Sequence, residues 1–212
     1  MKHSINTIQV GPDKLQQARN LYFEHETEME TYLDELLSWN EKINLVSRNV
    51  SRETIREHII HSLLPKPLGL IQWHEKWIDS GTGGGLPGIP LAICEKEIRW
   101  YLNDNVRKKM KAVGDIVETM KLKNTEVIPK SISLVDLEEG TGIVTKHAFK
   151  IKDLLRLLGS APWQTILMWK GVEDVEEEVR RTHKNLKVLI YEFNFGKDEP
   201  FYDGKGIIKI ER

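Results

Sequence analysis

The chain of 212 residues is long enough for one domain with a buried core, and 40% hydrophobic and 30% charged residues are typical of a globular protein. The formal net charge of −1 excludes a uniformly basic surface, so any nucleic-acid site must be local. The single cysteine, Cys94, excludes an internal disulfide and a multi-thiolate metal site. No apolar run has the length of a membrane span and the first ten residues lack a signal-peptide pattern, so we expect a cytoplasmic protein outside the membrane.

Apolar residues recur at helical spacing near the start of the chain. The stripe consists of Met29, Tyr32, Leu33, Leu36 and Leu37. Thr27 and Glu30 have the spacing of a capping box at the start of this helix. A second helix is predicted to begin near Ser51 and to end before Pro65, because proline cannot donate to the helical ladder. We therefore predict a helical cap over residues 1–66.

Short apolar segments alternate with helical segments in the remainder of the chain. The predicted strands are residues 76–79, 98–103, 126–128, 142–145, 165–169 and 186–195. This alternation predicts an α/β fold with a mostly parallel, doubly wound sheet that binds ligands at the carboxyl ends of its strands. Residues 206–211 follow the last of these strands through a glycine-containing turn, which predicts a terminal antiparallel hairpin at the sheet edge. Residues 67–212 are predicted to form this second domain, in one compact unit with the cap.

A glycine-rich loop, DSGTGGGLPG at residues 79–88, follows the first predicted strand of this region. Its glycines allow a tight turn and close approach to a ligand, and Pro87 fits the first turn of the next helix. Asp104 ends the second strand, where it would accept hydrogen bonds from ribose hydroxyls or cap a helix. A nicotinamide dinucleotide and S-adenosylmethionine both suit this layout. The terminal hairpin and the G-x-G-x-G spacing favour S-adenosylmethionine.

A local basic segment follows Asp104. Residues 99–130 contain eight basic and four acidic residues. Arg107, Lys108 and Lys109 would occupy the first turn of a helix, where cations oppose the helix dipole, so a phosphate partner is one explanation. A solvated helix face is the alternative. Lys170, at a strand end, is either a snorkelling lysine or a substrate contact.

The chain resembles the bacterial small-subunit rRNA methyltransferase G family, RsmG/GidB, in Trp39-Asn40, Asn44-Leu45, His58, Ser62-Leu63, residues 79–90 (DSGTGGGLPGIP), Asp104, Lys108-Lys109 and Lys170-Gly171. The resemblance implies a Rossmann-like, S-adenosylmethionine-dependent methyltransferase that acts on N7 of a guanine in 16S rRNA, free or within the small ribosomal subunit. Two alternatives remain: a methyltransferase with another RNA or small-molecule target, and a cofactor-binding, ribosome-associated module without turnover. We expect a monomer.

The implied cofactor site comprises Asp79, Gly81, Thr82, Gly83, Gly85, Leu86, Asp104, Ile132, Ser133 and His147. The expected RNA contacts are Arg107, Lys108, Lys109 and Lys170. Guanine N7 carries a free lone pair, so we expect catalysis by positioning without an acid or base side chain.

The chain departs from the family pattern at three positions. The family usually has Asp at the position of His61, an acidic residue at that of Ser133 and Arg at that of His147. A histidine with an ordinary pKa near 6.5 gains charge as the pH falls, so His147 is expected to strengthen binding of a negative ligand in acid. A packed histidine is the alternative for His147 and for His61.

Overall fold

The computed structural model describes residues 4–47, 49–71, 74–182 and 185–211. The strands are β1 (Ser4–Val10), β2 (Lys76–Ser80), β3 (Arg99–Asn103), β4 (Thr125–Ile128), β5 (Gly142–Lys146), β6 (Thr165–Gly171), β7 (Lys187–Phe193) and β8 (Lys205–Glu211). The helices are α1 (Pro12–Glu24), α2 (Glu26–Lys42), α3 (Arg52–Leu63), α4 (Gly88–Cys94), α5 (Arg107–Thr119), α6 (Ile151–Leu158) and α7 (Val175–Arg180). Short 3-10 turns occupy Ile132–Leu134 and Pro200–Tyr202.

All eight strands form one sheet in the order β1-β7-β8-β6-β5-β2-β3-β4. Only β8 is antiparallel to its neighbours, β6 and β7, and the other pairs are parallel. The predicted α/β fold with a mostly parallel sheet and a terminal antiparallel hairpin is therefore confirmed.

The first strand corrects two expectations. β1 pairs in parallel with β7, from Ser4 opposite Lys187 to Val10 opposite Phe193. The prediction of an all-helical first segment is therefore wrong for Ser4–Val10, and the terminal hairpin lies inside the sheet rather than at its edge. Of the β1 side chains only Val10 is buried, so this edge strand carries no apolar pattern that marks it in the sequence.

The helix starts agree in part with the predicted capping residues. Ser51 caps α3 as predicted, because its hydroxyl accepts a hydrogen bond from Thr54 N at 3.1 Å. The capping box of Thr27 is wrong, because α2 already begins at Glu26. Pro87 precedes the first turn of α4 as its N-cap, instead of lying within that turn.

Glu30 has a different role from capping. It accepts hydrogen bonds from Tyr22, Arg52 and Arg56, and its distance to Arg56 Nη2 is 2.9 Å. Burial opposes ionisation of Glu30, yet these hydrogen bonds lower its pKa to about 2. The cluster ties α1, α2 and α3 together.

The sheet is covered on both faces, which explains the nearly continuous apolar runs of its central strands. Along β6, Leu167 and Trp169 face the core formed with α1 to α5, whereas Ile166 and Met168 face the core formed with α6 and α7. This two-sided burial is the doubly wound arrangement. Within the described ranges, no helix has both the length and the apolar character needed to cross a bilayer.

Candidate functional site

The glycine-rich loop between β2 and α4 makes a tight turn at the carboxyl edge of the sheet. Gly81 and Gly85 have φ values of 73° and 103°, a region that side chains other than glycine rarely adopt. A Cβ on Gly81 would lie 2.5 Å from Ala148 Cβ. Gly81 N and Thr82 N both donate to Asn103 O, at 2.8 and 3.0 Å, so the loop is bound to the end of β3.

Asp79 holds the loop from beneath. Its side chain is fully buried, and its Oδ2 accepts hydrogen bonds from Thr82 Oγ1 at 2.6 Å and from Gly88 N at 2.8 Å. Desolvation raises the pKa of Asp79 to about 7, against the lowering effect of these two donors. Asp79 therefore shapes the loop from within the core.

The N-terminal helices hold the loop from the other side. The hydroxyl of the buried Tyr32 in α2 donates to Gly84 O at 3.0 Å, and a Cβ on Gly84 would lie 2.5 Å from Leu36 Cδ1. After α2, Asn40 Oδ1 accepts hydrogen bonds from the backbone of Leu45 and of Val46, at 2.9 and 3.0 Å. The helical region thus contributes directly to the site.

Asp104 joins the glycine loop to the start of α5. Its Oδ2 accepts from Gly83 N at 3.2 Å, and its Oδ1 accepts from Val106 N at 2.9 Å. The neighbouring Asn103 donates through Nδ2 to Lys130 O at 2.7 Å, which brings the segment after β4 to the same edge. Asp104 therefore accepts a hydrogen bond from the backbone at the start of α5 and also lies at the rim of a cavity.

That cavity has a volume of about 400 Å³ and is lined by Leu45, Gly81, Gly83, Asn103, Asp104, Asn105, Lys109, Ser131, Ile132, Lys146, His147, Ala148, Phe149 and Leu157. We call it the main cavity. A second cavity of about 140 Å³ is lined by Leu45, Val46, His58, Gly81, Thr82, Gly83, Gly84, Leu86, Lys146 and His147. We call it the side cavity.

The two cavities bring together most of the residues that the sequence indicated for a cofactor. Gly81, Gly83, Asp104, Ile132 and His147 line the main cavity, and Thr82 and Leu86 line the side cavity.

Three residues of the expected cofactor set lie outside both linings. Asp79 and Gly85 are buried beneath the loop, where a Cβ on Gly85 would lie 2.4 Å from Ile89 Cδ1. Ser133 is exposed, with its hydroxyl 2.9 Å from that of Ser131. The 3-10 turn buries Ile132 and leaves Ser133 outside, so Ser131 takes the lining position.

The basic residues expected to contact RNA separate into two groups. Arg107 and Lys108 are exposed on the first turn of α5, and Lys109 lines the main cavity. Lys170 lies elsewhere, in an ion pair of 2.8 Å with Glu178 in which both side chains are largely buried. Its charge is balanced inside the protein, which weakens its assignment as a phosphate contact.

His147 differs from the expectation of an ordinary histidine pKa. Desolvation, followed by the positive charges of Lys146, Lys205 and Lys170, lowers its pKa to about 4. It is therefore neutral between pH 6 and 8, where the sequence predicted a change of charge. His61 is fully buried, with its ring 5.5 Å from that of Phe193, and its pKa is lowered well below the usual value by burial. His61 is a packed histidine.

Lys146 and His58 lie at the site, although the sequence assigned neither of them to the cofactor or to RNA. Lys146 ends β5 and lines both cavities, and its Nζ lies 2.8 Å from His58 Nδ1. Desolvation and the charge of Lys205 lower the pKa of Lys146 to about 7, although Asp79 opposes this shift. A lysine at a strand end usually extends into solvent, so the sequence carries no signal for this enclosure.

Comparison with known proteins agrees with this geometry. The family model described as rRNA small subunit methyltransferase G matches residues 25–196. The protein of that name from Chlorobium limicola is 31% identical over 188 residues, covering 84% of both chains. The one from Flavobacterium psychrophilum is 30% identical over 180 residues, covering 81% of this chain and 84% of its own. A more local match, to the protein of the same name from Flavobacterium johnsoniae, is 43% identical over 98 residues and covers 46% of this chain and 47% of that protein.

Solved structures support the same fold. An O-methyltransferase from Bacillus cereus in complex with SAH has a TM-score of 0.51 at 17% identity, covering 85% of this chain and 90% of its own. The 23S rRNA methyltransferase ErmE has a TM-score of 0.50 at 12% identity, covering 77% of this chain and 68% of its own. The chain therefore belongs to the rRNA small subunit methyltransferase G family and is an S-adenosylmethionine-dependent methyltransferase of small-subunit rRNA.

Proposed function

We propose that this chain binds S-adenosylmethionine in the main cavity and methylates N7 of a guanine of 16S rRNA held in the side cavity. The observation that carries the proposal is the main cavity itself, where the glycine loop meets the Asp104 carboxylate at the carboxyl edge of the sheet. Its volume of about 400 Å³ is in the range of cofactor sites. The close packing at Gly81 supports the fit, because a side chain there would displace the adjoining wall.

Different residues around the main cavity bind different parts of the cofactor. Asp104 accepts hydrogen bonds from the ribose hydroxyls with the lone pairs that Gly83 N and Val106 N leave free. Ile132 and Phe149 supply apolar surface within the same cavity. Asp79 and Gly85 act indirectly, by fixing the conformation of the loop. Bound S-adenosylmethionine supplies an electrophilic methyl group on a sulfonium.

The side cavity suits the acceptor base because it adjoins the main cavity. Thr82 and Leu86 bound it on the loop side and His58 on the α3 side. N7 of guanine is an acceptor with a free lone pair, so no residue has to remove a proton from it. The chain's contribution is alignment of the two reactants, and orientation of this kind contributes several kcal/mol to catalysis.

The first turn of α5 is the proposed binding site for the phosphates of the RNA backbone. Arg107 and Lys108 are exposed next to the main cavity, and Lys109 reaches its lining. Phosphate neutralises these cations, which otherwise oppose the helix dipole. Lys170 is assigned a structural role through Glu178 instead.

The lining of both cavities includes Leu45 from the cap, which supports residues 1–66 and 67–212 acting as one unit. A 16S rRNA substrate, free or in the small subunit, favours a cytoplasmic location.

Calorimetry with S-adenosylmethionine, S-adenosylhomocysteine and NAD tests the cofactor assignment. We expect the first two to bind and NAD not to bind. Asp104→Ala leaves the ribose hydroxyls without their acceptor. We therefore expect it to weaken the binding of S-adenosylmethionine and of S-adenosylhomocysteine by ~1–3 kcal/mol. Glu118→Ala, which removes an exposed carboxylate on α5, is the matched control and is expected to bind like the unaltered protein. Unchanged affinity in Asp104→Ala would contradict the assignment.

A further inference from the structure

The main and side cavities share one wall. The residues that line both are Leu45, Gly81, Gly83, Lys146 and His147. Under the proposed function, a methyl group passes from a ligand in one cavity to a ligand in the other and therefore crosses this wall. Of the five wall residues, Lys146 and His147 are ionisable, and Lys146 is the one whose charge changes near neutral pH, because the pKa of His147 is lowered to about 4.

Lys146 is held at the wall by a neutral partner. Its Nζ lies within hydrogen-bond distance of His58 Nδ1, at 2.8 Å, so its contact is with an imidazole rather than with a carboxylate. Lys205 on β8 adds a like charge, whereas the buried Asp79 on β2 is the acidic group that acts on it. An ammonium in this position is weakly compensated, and a second cation beside it is disfavoured.

Apart from the cation Lys205, the ionisable groups that act on Lys146 are three histidines and Asp79. His58 and His61 on α3 and His147 beside Lys146 have lowered pKa values, about 3 for His58 and about 4 for His147, because burial and the nearby cations disfavour their charged forms. The pKa of Lys146 and that of Asp79 are both about 7. A fall in pH therefore adds positive charge at Lys146 and removes negative charge at Asp79.

We propose that Lys146 discriminates between S-adenosylmethionine and S-adenosylhomocysteine by charge. Its ammonium form repels the sulfonium of the methyl donor and leaves the neutral thioether of the product unaffected. Acid therefore favours retention of the product, and alkali favours binding of the donor. The inference depends on the proposed cofactor site, and it makes Lys146 a specificity-determining residue of that site.

Proton linkage gives the direction in which pH changes the binding of donor relative to product. A bound sulfonium disfavours the Lys146 ammonium, so binding of S-adenosylmethionine near pH 7 releases a proton that binding of S-adenosylhomocysteine does not release. The ratio of the dissociation constants of donor and product rises as the pH falls. A shift of one pKa unit at Lys146 corresponds to a limiting change of about tenfold in this ratio, reached where Lys146 is protonated in both complexes.

The test is calorimetry of both ligands at about pH 6 and about pH 8.5, on either side of the pKa of Lys146, at constant salt. For a one-unit downward shift of the Lys146 pKa, we expect the ratio in the unaltered protein to be about fivefold higher at pH 6 than at pH 8.5, because pH 6 lies only about one unit below the pKa of the free protein. Lys146→Met keeps the length of the side chain without its charge, and we expect its ratio to be the same at both pH values. Lys111→Met is the matched control, because Lys111 is an exposed lysine on α5 that lines neither cavity. It is expected to retain the pH dependence of the unaltered protein.

Three results would count against the proposal. If Lys146→Met retained the full pH dependence, Asp79 would carry the effect and Lys146 would not. If donor and product released equal numbers of protons from the unaltered protein, measured in buffers of different ionisation enthalpy, the proposal would be wrong whatever the variant does. If neither ligand bound at all, the proposed function would fail together with this inference, whereas a pH-independent ratio overturns the inference alone.

Discussion

Asp79 under the glycine loop allows a test of the site through stability. The carboxyl is fully buried, and its Oδ2 accepts from Thr82 Oγ1 and Gly88 N. Asp79→Asn keeps a carbonyl oxygen for these two donors and removes the ionisable group. The substitution therefore separates the hydrogen bonds of the loop from the cost of a buried charge.

The raised pKa of Asp79 determines how the free energy of unfolding depends on pH, and by how much Asp79→Asn changes it. Burial raises this pKa from 3.8 to about 7, so the folded protein binds more protons than the unfolded chain between these values. The contribution of Asp79 to stability is full below pH 4 and falls as the pH rises towards 7. A shift of this size corresponds to a loss of ~4 kcal/mol in the free energy of unfolding across the window. Asp79→Asn lacks this loss.

Urea unfolding at several pH values between about 4 and about 7.5 measures the difference between the two proteins. Histidines that titrate in the same window contribute equally to both proteins and cancel. We expect Asp79→Asn to gain stability relative to the unaltered protein by up to ~4 kcal/mol as the pH rises. Glu118→Gln, an exposed carboxyl, is expected to follow the unaltered protein. If Asp79→Asn also followed the unaltered protein, the buried carboxyl would have an ordinary pKa and the reasoning would be refuted.

Other predictions concern RNA binding, the cap and His147. Lys108→Ala and Lys109→Ala should each weaken binding to 16S rRNA and reduce the slope of log affinity against log salt by about 0.7–0.9 per lost phosphate contact; an unchanged slope would make these lysines a solvated face. Tyr32→Phe removes the hydrogen bond to Gly84 O and should cost ~0.5–1.5 kcal/mol of stability by urea unfolding, with weaker S-adenosylmethionine binding by calorimetry. Full affinity in that variant would show that the cap does not hold the loop. An NMR titration of His147 should give a midpoint near the lowered pKa of about 4, and a midpoint near 6.5 would restore the pH switch expected from the sequence.

The central strands and the glycine loop could be predicted because their signals are local. β6 is buried on both faces, so its sequence is a continuous apolar run, and the loop needs glycine where φ is positive, as at Gly81. The terminal hairpin was also visible, because the segment between β7 and β8 is too short for a crossover helix.

The remaining features depend on contacts between distant parts of the chain. β1 forms because its backbone pairs with the edge strand β7. Most side chains of β1 are exposed, so its sequence has no apolar pattern that predicts this pairing. Lys146 and His58 are 88 positions apart, and only the fold places them in contact. The surroundings of Ser133 and Lys170 could not be predicted for a similar reason, since a 3-10 turn exposes Ser133 and Glu178 forms an ion pair with Lys170.

Methyl transfer from S-adenosylmethionine to 16S rRNA taken from cells that lack this protein, followed by mass mapping of the modified nucleotides, tests the proposed function most directly. The proposed function predicts one new 7-methylguanosine in naked 16S rRNA or in the small subunit, dependent on the protein and reduced in Asp104→Ala. Methylation of a different base, or S-adenosylmethionine binding without any transfer to either form of the RNA, would contradict it.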